Sequence, residues 1–132
     1  MITCFLIDDD KDDQEIFQIA LERLNIPVKC ITADDGYIAM HMLDADENFV
    51  PDYIFLDLNM PRVDGKQCLT QIKSKPSLKN VPVIIYTTSS RQHHKDEAYK
   101  LGATDFVTKL ANVAELTELL KTILVTPARK NN

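Results

Sequence analysis

Four short apolar runs, each followed by a polar residue, constrain this chain more than any other feature. The runs and their polar ends are 2–7 with Asp8 and Asp9, 53–56 with Asp57, 81–86 with Thr87, and 106–108 with Lys109. In a parallel α/β sheet, ligands bind in the crevice outside the carboxyl ends of the strands. The pattern therefore predicts one polar site at one edge of one sheet.

Segments with helical spacing of apolar residues separate these runs. The predicted strands are 2–7, 28–32, 53–57, 81–87 and 104–108, and the predicted helices are 11–24, 36–43, 65–73, 91–101 and 112–124. Asp10 is predicted to cap the first helix, and Asn25 and Pro27 are predicted to end it. Five strands alternating with five helices imply an α/β fold, with a parallel sheet covered by helices on both faces.

The length of 132 residues fits a single domain. We predict that this domain spans 1–126 and that 127–132, a short polar segment, is a disordered C-terminal tail. No apolar stretch approaches the roughly 18 residues of a membrane span, and Met1 is not followed by the basic residues of a signal peptide. These features predict a cytoplasmic protein without a membrane partner.

The net charge bears on the class of binding partner, and the cysteines bear on the redox state of the protein. The net charge of -5 argues against a nucleic-acid partner, which requires clustered Lys and Arg. Cys4, Cys30 and Cys68 are odd in number, lack C-x-x-C spacing and have apolar neighbours. We expect all three to be reduced core thiols of a cytosolic protein.

The three acids predicted to meet at the sheet edge need a cation beside them. Two carboxylates about 4 Å apart repel by about 4 kcal/mol at an effective dielectric constant near 20. Oxygen ligands in small number suit Mg²⁺, and Mn²⁺ is tolerated on the same grounds. Asp9 and Asp57 are the predicted direct ligands, and Asp8 is predicted to bind through water.

A metal ion alone does not account for Asp57, Thr87 and Lys109 together. A carboxylate can act as a nucleophile and form an aspartyl phosphate, whose phosphoryl oxygens then need a cation and hydrogen-bond donors. Lys109 offers the charge and Thr87 the hydroxyl. Beyond the nucleophile, Asn59 is predicted to offer its backbone carbonyl to the metal and Met60 its amide to the phosphate.

Four segments together resemble the receiver domain of response regulators in two-component systems. They are FLIDDD at 5–10, DLNMPRVDG at 57–65, YTTS at 86–89 and GATDFVTK at 102–109. The resemblance extends over essentially the whole chain. It implies a flavodoxin-like, doubly wound, five-stranded parallel sheet of order 2-1-3-4-5 with five helices.

The resemblance also implies a role for each site residue. Asp57 is the phosphoacceptor, supplied by a sensor histidine kinase or a phosphotransfer protein, and Asp8 and Asp9 hold Mg²⁺. Thr87 contacts the phosphoryl group and Lys109 pairs with it. Phosphorylation draws the threonine inward, and an aromatic residue of the fifth strand, here Phe106, fills the space.

In the family this change alters affinity for a downstream protein, through the face formed by the fourth helix, fifth strand and fifth helix. Two positions depart from the family pattern. Leu110 follows Lys109 where proline is usual, so we predict a trans Lys109–Leu110 bond or a rearranged loop, because a cis bond before a non-proline residue costs about 2.5 to 4 kcal/mol. Phe106 lacks the hydroxyl that a tyrosine would carry.

Two other functions stay open at this point. A phosphohydrolase with an aspartyl nucleophile commonly has a second acid two residues later, but that position is Asn59, which disfavours turnover. A receiver-like module that no longer accepts phosphate is suggested only by Leu110.

Several residues also have purely structural interpretations. The acids at 8–10 could form a solvated capping cluster, Phe106 could be ordinary core, and Thr87 could be an ordinary strand residue. His93 and Glu97 share a helix face and could bind a metal, although a solvated helix start is favoured there. His41 is expected to be a structural or half-exposed histidine.

Overall fold

The computed structural model describes residues 1–110 and 112–125. The predicted domain boundary at 126 and the predicted disordered tail at 127–132 lie outside the described residues. Both therefore stay predictions.

The described chain alternates strands and helices in the predicted order. The strands are β1 (Ile2–Ile7), β2 (Val28–Ala33), β3 (Tyr53–Leu56), β4 (Val83–Thr87) and β5 (Asp105–Thr108). The helices are α1 (Lys11–Arg23), α2 (Gly36–Ala45), α3 (Gly65–Ser74), α4 (Gln92–Lys100) and α5 (Val113–Leu124), with a short 3₁₀ helix at Pro76–Leu78 between α3 and β4.

All neighbouring strands pair in parallel, in the order β2-β1-β3-β4-β5. This confirms the fold class and the order that the family resemblance implied. Ile7 pairs with Leu56 and Thr87 with Thr108, so β1 and β3, like β4 and β5, end at matching levels. The polar residues that follow these strands are thereby brought to one edge.

Two hydrophobic cores lie on opposite faces of the sheet, because successive strand side chains point to opposite sides. Phe5 packs in the core beneath α2, α3 and α4, whereas its neighbour Leu6 packs in the core beneath α1 and α5. Phe17 of α1 meets Phe55 of β3 edge to face, with ring centroids 4.9 Å apart. Both faces of the sheet are therefore covered, as predicted.

One difference of two residues from the predicted bounds lies before β4. The strand begins at Val83 rather than Val81, because Pro82 has no amide hydrogen to donate to a ladder. The amide of Val81 instead donates to the Leu78 carbonyl, 3.0 Å away. The predicted loop there contains the 3₁₀ helix. The other ends differ by at most two residues, the scatter expected at frayed termini.

Both predicted ends of α1 are confirmed. The Asp10 side chain accepts a hydrogen bond from the Asp13 amide at 3.0 Å, as an N-cap does. Asn25 follows the helix with φ of 54°, the left-handed conformation that ends many helices and that Asn tolerates. The N-terminus of α1 is therefore fixed directly after Asp8 and Asp9.

The three cysteines are free thiols. Cys4 and Cys68 are buried, and Cys30 is partly buried at the β2 edge. Burial raises the pKa of Cys4 and Cys68 to about 12 and that of Cys30 to about 11, so all three stay protonated at neutral pH. In the part of the chain that the structure describes, no helix combines the length and apolar character needed to cross a bilayer.

Candidate functional site

Backbone hydrogen bonds at the strand ends bring the predicted site residues together. The Asp57 amide donates to the Ile7 carbonyl at 3.0 Å, immediately beside Asp8. At the same edge, between β4 and β5, the Lys109 amide donates to the Thr87 carbonyl at 2.7 Å. The sheet ladder thus continues one residue past the strands and sets the positions of the side chains that follow them.

The ammonium group of Lys109 lies among three carboxylates. Its Nζ is 2.7 Å from Asp13 Oδ2, 2.9 Å from Asp8 Oδ2 and 3.1 Å from Asp57 Oδ2. The Lys109 side chain is only 10% exposed, and those of Asp8 and Asp57 are 1% and 6% exposed. Ion pairs this deeply buried are weakly screened by solvent and salt, so removing either partner would leave an uncompensated charge.

Burial and neighbouring charges shift the pKa values of Lys109 and Asp8 in opposite directions. Burial by itself lowers the pKa of Lys109, but the carboxylates of Asp13 and Asp8 outweigh it and raise the pKa above its ordinary value. Burial raises the pKa of Asp8 to about 6, although the Asp10 amide and Lys109 both favour its charged form. Asp8 is therefore a desolvated carboxylate that a further cation would stabilise.

The acid cluster meets the requirements of a divalent metal site. Asp8, Asp9 and Asp57 each offer one carboxylate oxygen, and these oxygens lie within 4.8 Å of one another. Asp8 Oδ2 is buried and, among the described residues, accepts no well-aligned hydrogen bond despite its proximity to Lys109. Hard oxygen ligands in this number suit Mg²⁺ or Mn²⁺. The predicted Asn59 carbonyl and Met60 amide contacts stay predictions.

Asn59 contacts the Asp57 carboxylate, and Thr87 lies next to Asn59. The backbone amide of Asn59 donates to Asp57 Oδ1 at 3.1 Å. The other oxygen of Asp57, Oδ2, contacts Lys109. Thr87 is fully buried, and its Oγ1 lies 3.5 Å from Asn59 Nδ2. The Asp57 carboxylate is therefore contacted by a backbone amide and an ammonium group, and the Thr87 hydroxyl lies next to Asn59.

Phe106 and Leu110 occupy the fifth strand and the loop after it. Phe106 is 8% exposed and packs in the core beneath α2, α3 and α4, with Lys95 Nζ 5.9 Å from its ring centroid. None of the described residues follows a cis peptide bond. The Lys109–Leu110 bond is therefore trans, as predicted, and Lys109 still reaches Asp57.

The sequence did not predict a role in this region for four residues: Asp13, Gln14, Asp35 and Arg62. Asp13 lies in the first turn of α1, where the helix dipole favours an acid, yet it makes the shortest contact with Lys109. Gln14 is buried and donates to the Asp8 carbonyl at 2.7 Å. Arg62, in the loop between β3 and α3, pairs with Asp35. The position of Asp13 in the first turn of α1 was an available signal, because that turn begins three residues after Asp8.

The histidines contribute no metal site. Glu97 pairs with Lys66 at 3.1 Å, and His94 Nδ1 lies 2.5 Å from Ser89 Oγ. Over residues 1–110 and 112–125, the only group of three or more His, Cys, Asp or Glu side chains placed to share a metal is that of Asp8 and its two acidic partners. His93 is exposed at the start of α4, which supports the solvated helix start, and His41 is exposed on α2.

Comparisons with known proteins identify the family of this chain. The model of the response regulator receiver domain matches residues 4–121. Response regulator Rcp1 of Synechocystis sp. is 33% identical over 122 residues, which cover 89% of this chain and 83% of Rcp1. Protein PilG of Pseudomonas aeruginosa is 32% identical over 116 residues, which cover 88% of this chain and 82% of PilG.

Solved structures show the same relationship. The Mn²⁺-bound form of response regulator Rcp1 has a TM-score of 0.82 at 33% identity, covering 93% of this chain and 91% of that one. The phosphorylated cyanobacterial phytochrome response regulator RcpA has a TM-score of 0.83 at 36% identity, covering 92% and 90%. Since the family model spans most of the chain and these relatives share its fold almost end to end, the protein belongs to the response regulator receiver domain family.

Proposed function

We propose that this protein is a Mg²⁺-dependent phosphoryl acceptor in two-component signal transduction, with Asp57 as the acceptor. The observation that carries the proposal is the environment of Asp57. Its carboxylate is buried at the end of β3, 3.1 Å from the ammonium of Lys109 and beside the carboxylates of Asp8 and Asp9. Membership of the receiver family supports a histidine-kinase or phosphotransfer-protein donor.

In the proposed reaction, a carboxylate oxygen of Asp57 attacks the phosphorus of a phosphohistidine. The new O–P bond forms as the N–P bond breaks, and the leaving imidazole nitrogen takes up a proton. Lys109 neutralises charge on the transferred group, the Thr87 hydroxyl donates to one of its oxygens, and the Met60 amide donates to another. Positioning and charge neutralisation account for most of the catalysis of such transfers.

Asp8, Asp9 and Asp57, with the backbone carbonyl of Asn59, are the proposed metal ligands. When bound, the ion neutralises phosphoryl oxygens and the acids that would otherwise repel an anionic donor. Mg²⁺ is the proposed physiological ion, because carboxylates in small number together with phosphate oxygens are its usual ligands. Mn²⁺ is expected to substitute, and the Mn²⁺-bound form of Rcp1 supports this.

The proposed output is a change in affinity for a protein partner. Thr87 is buried next to Asn59, and Phe106 is buried one strand away on β5, so a phosphoryl group that draws the Thr87 hydroxyl inward opens space for the Phe106 ring. The proposed partner surface is formed by α4, β5 and α5, where Tyr99 is 47% exposed. The partner is identified only as a protein that distinguishes the two positions of Phe106.

Asn59 supports a switch rather than a hydrolase. A general acid and base two residues after the nucleophile would be needed for rapid turnover, whereas the Asn59 side chain is an amide that lies against Thr87. We therefore propose slow self-dephosphorylation at most.

The test is incubation with acetyl phosphate and Mg²⁺, followed by intact mass measurement. The wild-type protein should gain one labile phosphoryl group, and chelation of the metal should prevent the gain. Asp57→Asn should gain none, because an amide oxygen is a far poorer nucleophile than a carboxylate. Asp12→Asn removes an exposed acid of α1 and should behave like the wild type.

An adduct that persists in Asp57→Asn would overturn the assignment of the acceptor. Failure of the wild-type protein to gain phosphate or to respond to beryllium fluoride with Mg²⁺ would instead favour a receiver-like module without phosphoryl transfer. Rapid multiple turnover of a phosphomonoester would favour the hydrolase.

A further inference from the structure

We infer that Asp13 is a positioning residue that shares the ammonium group of Lys109 with Asp8, so that Lys109 competes less with a metal ion for Asp8. The inference rests on the proposed function of the same site. It concerns a fourth acid, located on α1 rather than at a strand end.

The contacts of Lys109 show how Asp13 acts. Nζ donates well-aligned hydrogen bonds to Asp13 Oδ2 at 2.7 Å and to Asp57 Oδ2 at 3.1 Å. Asp8 Oδ2 is equally close, at 2.9 Å, but receives no aligned donor from the described residues. The Lys109 ammonium group is therefore hydrogen-bonded to Asp13 and Asp57, whereas its contact with the buried Asp8 is an ion pair outside the angular range of a hydrogen bond.

Asp13 is held firmly enough to direct this orientation. Its backbone amide is tied to the Asp10 side chain at 3.0 Å, and the next residue, Gln14, is buried and bonded to the Asp8 carbonyl. The Asp13 side chain is 31% exposed, so its carboxylate contacts solvent as well as Lys109. It competes with Asp8 for Lys109 from a fixed position on a rigid helix.

Two consequences of opposite sign follow for ligand binding. Without the charge of Asp13, Lys109 turns to Asp8 and competes with Mg²⁺ for it, so the affinity for the metal falls. The same change removes a negative charge from the site and releases one of the three donors of Lys109. The affinity for an anionic phosphoryl group in the presence of saturating metal therefore rises.

The experiment measures both affinities on three variants of the full chain. Asp13→Asn should weaken Mg²⁺ binding by about threefold to tenfold, and should strengthen beryllium fluoride binding at saturating Mg²⁺ by a similar factor, as expected for one partly screened charge. Asp13→Glu retains the charge and should restore both values towards wild type. Asp12→Asn, the matched loss of an exposed acid on the same turn, should change each value less than about twofold.

Titration calorimetry supplies the two affinities, and the nitrogen resonance of the Lys109 ammonium group reports its partners directly. That resonance should shift in metal-free Asp13→Asn and stay close to its wild-type position in Asp12→Asn. Unchanged affinities in Asp13→Asn, or a parallel loss of both together with a lower melting temperature, would overturn the inference. If wild-type protein binds neither ligand, the proposed function itself fails, which is a distinguishable result.

Discussion

At Gly65, which follows the loop after β3, there is no room for a side chain. A Cβ at this position would lie 2.5 Å from the Asp57 carbonyl oxygen and 2.4 Å from Leu58 Cα, closer than unbonded heavy atoms can approach. The Gly65 amide also donates to the Leu58 carbonyl at 3.1 Å. The absence of a side chain thus lets the start of α3 pack directly on the backbone of Asp57 and Leu58.

We predict that Gly65→Ala destabilises the protein by about 1 to 3 kcal/mol, because the overlap with backbone exceeds the gain in helix propensity. Urea unfolding gives the free energy of unfolding. Gln67→Ala, at an exposed position of the same helix turn, is the control and should stay within about 0.5 kcal/mol. A Gly65→Ala protein as stable as wild type would show that the loop moves aside freely.

Among the secondary-structure elements, α2 is connected to the loop after β3 through Asp35. Asp35 caps α2 by accepting from the Ile38 amide at 2.8 Å, and its other oxygen pairs with Arg62. Arg62 has φ of 65°, an uncommon conformation for a residue with a side chain, and its guanidinium lies 4.9 Å from the Tyr37 ring centroid. Asp35 therefore joins the N-terminus of α2 to the loop after Asp57.

Asp35→Ala should cost about 1 to 2 kcal/mol at pH 7, the usual value of an N-cap. The Ile38 amide, followed by Arg62, holds the pKa of Asp35 below its ordinary value. The folded state therefore prefers the charged form, and this stabilisation is present above about pH 4 and lost as the pH falls through the folded pKa.

The difference in unfolding free energy between wild type and Asp35→Ala, measured by urea titration at several pH values, should accordingly shrink below about pH 4. Glu47→Ala removes an exposed acid just beyond the same helix and should show little effect at any pH. A constant difference down to pH 2 would contradict the role of the charged form.

For the whole molecule, the acid cluster makes stability depend on both pH and metal. Asp8 has its pKa raised by burial to about 6, so the folded state binds its proton more tightly than the unfolded chain does. By linkage, Asp8 contributes a loss of stability to the metal-free protein as the pH rises from about 4 to about 6. A divalent cation that binds the folded state reverses that loss.

We predict that the metal-free protein loses about 2 to 3 kcal/mol over this pH range through Asp8, and that Asp8→Asn flattens the profile. At pH 7, Mg²⁺ at about 100 times its dissociation constant should add about 2.7 kcal/mol to wild type and much less to Asp8→Asn. Thermal or urea unfolding with chelator and with Mg²⁺ measures both effects. Equal stabilisation of the two proteins by Mg²⁺ would remove Asp8 from the metal site.

Much of this molecule follows from local sequence. The alternation of apolar runs with helical segments predicted five strands and five helices, because periodicity and turn residues act over a few neighbouring positions. The positions of Asp8, Asp9, Asp57, Thr87 and Lys109 after apolar runs predicted their meeting, since parallel strands end at the same edge. The strand order came from the family resemblance, because local patterns carry no information on which strands are neighbours.

The tertiary structure alone decided where side chains from different elements point. The contact between Asp13 and Lys109 joins residues 96 positions apart, and the pair of Arg62 with Asp35 joins two loops. Neither could be read from spacing, because the direction of a side chain depends on how its helix packs on the sheet. The sequence by itself determined which charged groups gather at the sheet edge, and packing determined which acids contact Lys109.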